Sequence, residues 1–414
     1  MHKIVPLAEK DLRSMASLLL DAYPAIGYAR NIDQYTEAVI ESNKRSDVTY
    51  YGVYDHNSFV GGFNMWDFKI NMRQTMINAG GIGSVAVDLC RKKEKICFEI
   101  IRYFINNLRE NGKNIAILYP FNSAFYYKMG FGFGTLLQQF KLSPTYLPSG
   151  NSKKHILRLT ESHGQMITEF YNAKVKDTHG LIVKSVDEFT TRLKNPANKI
   201  FAYVKNNVVH GYIACGFKKS ETESFLVNDM LINEMLFDSS EVFLELMTFL
   251  KSQADQVRYV IINTQDEGFI NTIADPRNNS DQILFNVYQE CCKTGLGIMY
   301  RICNIDGFFA DIKDCRFGNL NMNVQLNVND SFVSENNKPF LLKFTDGLCV
   351  VANNNTPDVT IDIDISELSS IIMGCANLKS LVKYGKANIS DISKLDELSR
   401  AFSLDEKPIC VTYF

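Results

Sequence analysis

One stretch, residues 80–132, constrains the fold of this chain more than any other. It opens with Gly-Gly-Ile-Gly-Ser-Val-Ala-Val at 80–87, where small and then apolar residues favour a strand. Apolar residues next recur at three- and four-residue spacing, which predicts a helix over 96–111 that ends at Gly112. The short apolar run 115–119 predicts a buried strand parallel to the first. The stretch is therefore a predicted βαβ unit.

A basic loop, Arg91-Lys92-Lys93-Glu94-Lys95, separates the first strand from the helix. The first amide N–H groups of a helix have no partner within it, and the positive end of the helix dipole lies there, so a phosphate can bind at this point. Charge alone favours a solvated loop over a binding site. The loop by itself is a weak signal for a polyanion site.

The turn Phe125-Tyr126-Tyr127-Lys128-Met129-Gly130-Phe131 follows the second strand. With this turn, the whole stretch resembles the GNAT superfamily of N-acetyltransferases. In that superfamily a splayed strand pair admits the pantetheine arm of acetyl-CoA, and a loop of pattern Arg/Gln-x-x-Gly-x-Gly/Ala wraps the pyrophosphate. A tyrosine of the turn faces the CoA sulfur, so the resemblance implies that Tyr126 is the general acid.

The resemblance also implies a set of residues that bind acetyl-CoA. They are Val85, Ala86 and Val87 for the pantetheine, Arg91, Lys92, Lys93, Glu94, Lys95, Ile96 and Cys97 for the pyrophosphate, and Phe121, Asn122 and Ser123 near the reactive end. Glu94 and Ile96 stand where the family usually has Gly and a small residue. A side chain at position 94 hinders close approach of phosphate, and its carboxylate repels the anion.

A second predicted domain follows the Pro-, Gly- and Ser-rich segment 144–152. Its order of predicted helices and strands repeats that of the first domain, with a hairpin at Lys205-Asn206-Asn207. Its own turn into a helix, residues 237–241, has no basic or glycine-rich loop, and no tyrosine turn follows the strand 259–263. These features predict an acetyltransferase-like domain without the cofactor site.

The last part of the chain has predicted strands first and predicted helices later, which is typical of an α+β domain. The strands are 321–328, 339–344, 348–352 and 359–363, and the helices are 365–373, 378–384 and 389–402. This pattern resembles a sterol-carrier-like domain. With Met299-Tyr300-Arg301-Ile302 and the tail Val411-Thr412-Tyr413-Phe414, the full chain resembles the enhanced intracellular survival family of acetyltransferases.

This family resemblance implies an α/β and α+β chain of three domains. They are a catalytic GNAT domain (1–147), a degenerate GNAT-like domain (153–290) and a sterol-carrier-like domain (296–414) that ends in the carboxylate of Phe414. The resemblance implies that this carboxylate acts as base or orients the amine, although a terminal carboxyl has an ordinary pKa of only about 3.3 to 3.7. It further implies direct acetyl transfer to a polyamine-like acceptor such as an aminoglycoside, and a homo-oligomer, possibly a homohexamer.

Composition excludes several classes of function. A net charge of −2 argues against nucleic-acid binding. No apolar run reaches the roughly 18 residues of a membrane span, and the first residues lack a secretory pattern, so we expect a cytoplasmic protein. The ten cysteines and six histidines show no metal-ligand spacing, which predicts reduced thiols and no metal site.

The sequence leaves the acceptor open. The superfamily resemblance implies that residues 21–30 line its pocket, whereas Tyr23, Tyr28 and Trp66 are interpreted as ordinary half-buried aromatics. Two other functions fit the chain. It could be a ligand-binding protein with a sterol-carrier-like domain and a non-catalytic GNAT domain, or an acetyltransferase of protein lysines or N-termini.

Overall fold

The computed structural model describes residues 2–27, 31–219, 226–278, 280 and 282–414. In chain order its strands are β1 (Lys3–Pro6), β2 (Val48–Asp55), β3 (Ser58–Met72), β4 (Thr75–Val87), β5 (Ile115–Leu118), β6 (Gly132–Phe133), β7 (Leu137–Leu142), β8 (Ile156–Arg158), β9 (Lys199–Lys205), β10 (Val208–Lys219), β11 (Asn228–Phe237), β12 (Val257–Thr264), β13 (Ile283–Phe285), β14 (Tyr288–Gln289), β15 (Cys292–Gly295), β16 (Met299–Ile302), β17 (Met322–Asn329), β18 (Pro339–Thr345), β19 (Leu348–Ala352), β20 (Val359–Asp364) and β21 (Ala387–Ile389). Its α-helices are α1 (Leu12–Ala22), α2 (Pro24–Gly27), α3 (Ile32–Asn43), α4 (Ile96–Glu110), α5 (Ser123–Tyr127), α6 (Gly164–Asp177), α7 (Val186–Lys194), α8 (Ser240–Lys251), α9 (Ile305–Asp311), α10 (Ile365–Ile372), α11 (Leu378–Lys383) and α12 (Leu395–Phe402).

The chain divides into two compact units. The first unit comprises Met1–Gly134, Ile298–Leu404 and Tyr413–Phe414, and the second comprises Thr135–Gly297 and Asp405–Thr412. The first unit contains a sheet of order β1-β2-β3-β4-β5-β16-β6, in which β4 and β5 are parallel and α4 connects them. This confirms the predicted βαβ unit.

Helix α4 packs on this sheet through the stripe that its sequence predicts. Ile100, Phe104 and Leu108 are 0% exposed, and each such side chain contributes about 1.5 to 3 kcal/mol through burial. Gly80 on β4 makes room for the stripe, because a Cβ atom at that position would lie 2.2 Å from a methyl carbon of Leu108. The helix ends as predicted, since Gly112 has a φ of +66°.

The first unit contains a second sheet, of order β19-β18-β17-β20-β21. The four strands predicted in this part of the chain are β17 to β20, and the first two predicted helices are α10 and α11. The predicted helix over 389–402 is wrong in its first half, because Ile389 belongs to β21 and α12 begins only at Leu395. The amide of Ser390 donates to Thr360, and the Asp391 side chain accepts from the amide of Ser393, so a strand and a turn take the place of a helix.

The second unit has a sheet of order β15-β7-β12-β11-β10-β9-β8. Strands β11 and β12 are parallel and are connected by α8, whose Leu246, Met247 and Leu250 are 0% exposed. Each sheet therefore holds one parallel strand pair next to a run of antiparallel strands, in the same spatial order.

Two strands pair outside the sheet that the sequence-based boundaries give them. Strand β7, within the range 1–147, pairs with β12 and β15 of the second unit. Strand β16, within the range 296–414, pairs with β5 and β6 of the first unit. Each is the strand next to the parallel pair of its sheet, so both sheets are completed by chain segments distant in sequence.

Candidate active site

The two parallel strands of the first unit diverge at one end. Their pairing runs from Ala79 and Ile115 to Ile82 and Leu118, and β4 continues beyond it to Val87. The pairing of β4 with β3 shifts register between Gly62 and Asn64, opposite the bulge at Ser84, whose φ is +51°. The stretch 83–87 therefore presents main chain along an opening between β4 and β5.

The side chains of this stretch are held in place while its main chain faces the opening. Val85 and Val87 are half-buried and pack against the cluster under α4, whereas Ala86 is buried against α1. The hydroxyl of Tyr23 donates to the carbonyl oxygen of Val85 at 2.7 Å. Tyr23, within the stretch 21–30 expected at the acceptor pocket, thus contacts β4. The sequence could not indicate this contact, because a single tyrosine after a helix has many possible surroundings.

One arginine of the basic loop before α4 is held in ion pairs, whereas the lysines of the loop are exposed. Arg91 donates to a carboxylate oxygen of Asp55 and to one of Glu94, each at 2.7 Å. The Glu94 carboxylate that would repel a phosphate is therefore ion-paired, although it shares the single charge of Arg91 with Asp55. Lys93 and Lys95 have φ angles of +71° and +65°, so the loop is bent tightly at the start of the helix.

The start of α4 provides amide groups and exposed lysines. Lys95 is the N-cap residue and makes no side-chain cap. The side chains of Lys92, Lys93 and Lys95 are exposed. Ile96 is only 1% exposed and packs in the core, so only its main chain can contact an anion.

Cys97, in the first turn of α4, is half-buried. Burial raises the pKa of its thiol to about 12. At neutral pH the residue is therefore an uncharged thiol rather than a nucleophilic thiolate.

Tyr126 lies at the end of the short helix α5, which begins after Asn122, whose side chain accepts from the amide of Phe125 at 3.1 Å. Tyr126 is 3% exposed, and the rings of Phe121, Phe125 and Phe131 contact it edge-to-face at 5.3 to 6.0 Å. Burial raises the pKa of Tyr126 well above 10, and nearby Cys97 and Tyr23 raise it further. The residue is therefore protonated at neutral pH and can donate a proton.

The predicted residues before Tyr126 differ in exposure. Phe121 is 66% exposed, and Asn122 is exposed although its side chain caps α5. Ser123 is half-buried in the first turn of α5. The neighbouring Tyr127 donates to Glu367 and stacks on Phe133 at 5.4 Å, so it serves the packing of the turn.

Phe414 lies over two glycines of β4. Its ring is 4.9 Å from that of Phe68 and 5.4 Å from that of Tyr119. A Cβ atom on Gly81 would lie 2.8 Å from the Phe414 ring, and one on Gly83 would lie 3.0 Å from its main-chain carbonyl carbon. The two glycines, on one face of the strand, thus make room for Phe414. From the sequence alone, these glycines are expected only to lead into a strand.

A buried amide lies beside the same glycine. Asn64 is 2% exposed, accepts from the Trp66 indole at 3.0 Å, and donates to the Ser84 hydroxyl at 3.3 Å. A Cβ atom on Gly83 would lie 2.8 Å from Asn64 Oδ1. Asn64, Ser84 and the carbonyl group of Phe414 therefore converge at Gly83. No pattern in the sequence indicates Asn64, because a polar residue in a strand is ordinarily exposed.

Three further predictions concern the acceptor pocket, metal sites and membrane spans. Of the proposed acceptor-pocket stretch, residues 28–30 lie outside the described residues, Tyr28 among them. Within the described part of the chain, no group of three or more His, Cys, Asp or Glu side chains is arranged to hold a metal ion. Among the described helices, none has both the length and the apolar content to cross a membrane.

Two parts of the chain match models of protein families. Residues 3–134 match the acetyltransferase (GNAT) domain, and residues 310–411 match the sterol carrier protein domain. The chain thus contains a GNAT acetyltransferase domain at its start and a sterol carrier protein domain near its end. This confirms the GNAT resemblance of the first domain and the sterol-carrier-like character of the last one.

The fold is shared with solved structures over all or nearly all of their length. A GCN5-related N-acetyltransferase from Kribbella flavida matches with a TM-score of 0.78 and 16% identity, covering 100% of this chain and 98% of that one. A GCN5-related N-acetyltransferase from Anabaena variabilis gives 0.80 and 14%, and Eis1 from Mycobacterium abscessus gives 0.76 and 14%, each with 100% of both chains covered. Identities this low establish a common fold only. No curated protein sequence is similar enough to this chain to count as a match.

Proposed function

We propose that the protein is an acetyl-CoA-dependent N-acetyltransferase that transfers the acetyl group directly to a primary amine of a small polyamine-like acceptor, such as an aminoglycoside. One observation carries the proposal. Within the GNAT domain, β4 and β5 diverge, and the buried, protonated Tyr126 lies close to Tyr23, whose hydroxyl donates to the main chain of β4 beyond the part that pairs with β5. This arrangement supplies both a binding edge and a proton donor.

The residues around the opening fit acetyl-CoA. The main chain of Val85–Val87 can pair with the amide groups of a pantetheine arm, and the uncapped start of α4 with Lys92, Lys93 and Lys95 can hold a pyrophosphate. Arg91 serves this site by pairing with Asp55 and Glu94, which offsets one of their two negative charges. When bound, acetyl-CoA supplies the acetyl group as a thioester.

Tyr126 is the proposed general acid for the departing CoA thiolate. Its raised pKa keeps the hydroxyl protonated until the thiolate forms. The same buried surroundings raise the pKa of the departing CoA thiol. Burial therefore raises the pKa values of both the proton donor and the proton acceptor. Tyr127 lies next in sequence but donates to Glu367, so it is not available for this step.

The main-chain carboxyl group of Phe414 is the proposed partner of the acceptor amine. It lies against Gly83, near the Asn64 amide, while the Phe414 ring packs against the rings of Phe68 and Tyr119. A carboxylate in this position attracts the positively charged acceptor. Once the neutral amine has attacked the thioester carbonyl, the carboxylate accepts a proton from the amine nitrogen as the C–S bond breaks and the CoA thiolate leaves. The role requires a free carboxylate on Phe414, so a variant with one alanine added after Phe414 tests it directly.

The experiment that tests the function has two arms. Calorimetry measures acetyl-CoA binding, and release of CoA thiol is followed with polyamines, aminoglycosides and lysine-containing peptides, with product masses determined. We expect acetyl-CoA binding and turnover with at least one polyamine-like acceptor. Absence of acetyl-CoA binding would contradict the enzyme function. Turnover with peptides alone would show that the acceptor is a protein and not a small polyamine-like molecule.

We also propose that the chain belongs to the enhanced intracellular survival family and that the second unit is a degenerate GNAT-like domain. The sheet order of the second unit and the full-length likeness to Eis1 from M. abscessus support this. The second unit lacks a basic loop at its helix start, where Ser239 caps α8 by accepting from the amide of Val242.

A homo-oligomer, possibly a hexamer, is part of the same proposal. The hairpin β13–β14 supports it, because exposed apolar patches often mark contacts between proteins. Five of its side chains are 63% to 84% exposed: Ile283, Leu284, Phe285, Val287 and Tyr288. We expect Val287→Asp to lower the molar mass measured by light scattering, whereas Asn286→Asp, which adds the same charge on the same hairpin, leaves it unchanged. A monomeric wild type would contradict the proposal.

A further inference from the structure

Arg301, in β16, is a fully buried charge inside the sheet of the first unit. It is 0% exposed, and its Nη2 donates to Asp330 Oδ2 at 2.6 Å in a pair whose partner side chain is also 0% exposed. Taking two charges out of water is costly, and apolar residues of the same volume would often stabilise a fold as well or better. The pair therefore calls for a reason other than stability.

The second hydrogen bond of Arg301 gives that reason. Its Nη1 donates to the main-chain carbonyl of Met129 at 2.5 Å. Gly130 has a φ of +83°, and a Cβ atom there would lie 1.4 Å from the same Nη1. The glycine of the tyrosine turn is thus required both by its backbone angle and by the space that the guanidinium fills.

Met129 is linked in turn to Tyr126. The amide of Met129 donates to the Tyr126 carbonyl at 2.9 Å, and the amide of Phe131 donates to the same oxygen at 3.2 Å. A path of two hydrogen bonds therefore runs from the guanidinium of Arg301 through one residue to the main chain of Tyr126.

Asp330 fixes the guanidinium from the other side. Its Oδ1 accepts from the amides of Phe332 and Val333, each at 3.0 Å, and its Oδ2 also accepts from Asn336 at 3.1 Å. Besides Arg301, the carboxylate is thus held by three donors in the segment after β17. Asp330 lies within the part of the chain that matches the sterol carrier protein domain.

We propose that Arg301, held by Asp330, is a positioning residue that fixes the turn carrying Tyr126. The inference rests on the proposed function of Tyr126 as general acid. In this proposal the sterol carrier protein domain contributes to catalysis in the GNAT domain. Its Asp330 holds Arg301, and Arg301 fixes the orientation of Tyr126. The cation itself does not touch the substrate.

A test independent of turnover is hydrogen exchange in the peptide spanning 123–133, measured on the full chain. In Arg301→Lys a single ammonium cannot serve both Met129 and Asp330 in the geometry of the guanidinium. We expect exchange of the Met129 and Phe131 amides to become about 10-fold faster than in wild type. Unchanged exchange overturns the proposal whatever the activity.

The kinetic test is a double-mutant cycle in CoA-release assays. We expect Arg301→Lys to lower kcat about 10-fold in the wild-type background and less than about 2-fold in the Tyr126→Phe background, because the acid that it positions is then already lost. Equal losses in both backgrounds show a role that does not act through Tyr126 and overturn the proposal.

Arg192→Lys in the second unit is the matched control, since Arg192 also pairs with a buried carboxylate, Glu234. It should lower the melting temperature and leave kcat and the exchange of 123–133 unchanged. If Arg301→Lys does not fold, Asp330→Asn replaces it in both assays with the same expectations. If the wild type shows no turnover, the proposed function fails, and the exchange measurement alone decides whether the pair holds the turn.

Discussion

The two seven-stranded sheets have the same strand order but differ where their parallel strands diverge. In the first unit, β4 continues past its pairing with β5, and Gly83 in that stretch leaves room for Phe414. In the second unit, β11 continues past β12 to Glu234, which is 2% exposed and ion-paired with Lys184 and Arg192. One scaffold therefore presents an open edge in one place and a buried ionic network in the other. The fold alone does not determine which.

The largest effect that we expect concerns the buried network. Glu234→Gln leaves Lys184 and Arg192 without their shared carboxylate and should lower the free energy of unfolding by about 3 kcal/mol or more. Urea unfolding at neutral pH measures it. A change below about 1 kcal/mol would mean that the network does not fill the second sheet as described.

The same network gives a pH dependence. Burial acts to raise the pKa of Glu234, but the charges of Lys184 and Arg192 outweigh it, so the pKa lies below its ordinary value of 4.5. A carboxyl with a lowered pKa stabilises fully above pH 4.5 and loses its contribution as the pH falls through the folded-state pKa. Wild type should therefore lose more stability on acidification than Glu234→Gln does.

A smaller effect is expected on the open edge of the first sheet. Gly83→Ala places a Cβ atom 2.8 Å from Asn64 Oδ1 and 3.0 Å from the carbonyl carbon of Phe414. Displacing Phe414 should lower kcat about 10-fold or more. The matched control is Gly216→Ala in the second sheet, where the new atom would meet only the carbonyl oxygen of Ala197 at 3.7 Å. Equal kcat values for Gly83→Ala and Gly216→Ala would contradict the proposed role of Phe414 in the site.

The smallest effect concerns an exposed ion pair. Comparing it with the buried network of Glu234 shows how much burial adds to the free energy of unfolding. Arg109 donates to Glu335 at 2.7 Å and lowers the pKa of Glu335 to about 2, although the Glu335 side chain is 60% exposed. Solvent screens such a pair, so Glu335→Gln should cost only about 0.5 kcal/mol at neutral pH. Its contribution is lost as the pH falls from 4.5 toward 2. A loss as large as that of Glu234→Gln would contradict the role given to burial.

Local patterns in the sequence predict most of the elements but not all of their partners. The period of α4, its end at Gly112 and the strand β1 follow from residues next to one another. The places of β7 and β16 do not, because a short apolar run carries no information on which strand it joins. The domain boundaries of the sequence analysis remain predictions.

The site divides in the same way. Tyr126 and the basic loop carry a motif, so the sequence indicates them. Tyr23, Asn64 and Arg301 act through long-range contacts with Val85, Ser84 and Met129, respectively, and no local pattern marks such contacts.

The most direct test of the account compares kcat for CoA release in wild type, Tyr126→Phe and Tyr127→Phe. Both variants remove one hydroxyl from adjacent residues of the same turn, but only Tyr126 is the proposed acid, whereas Tyr127 donates to Glu367. We expect Tyr126→Phe to lose about 100-fold or more in kcat, as removal of a general acid does, and Tyr127→Phe to stay within about 3-fold of wild type. Wild-type kcat in Tyr126→Phe would contradict the account.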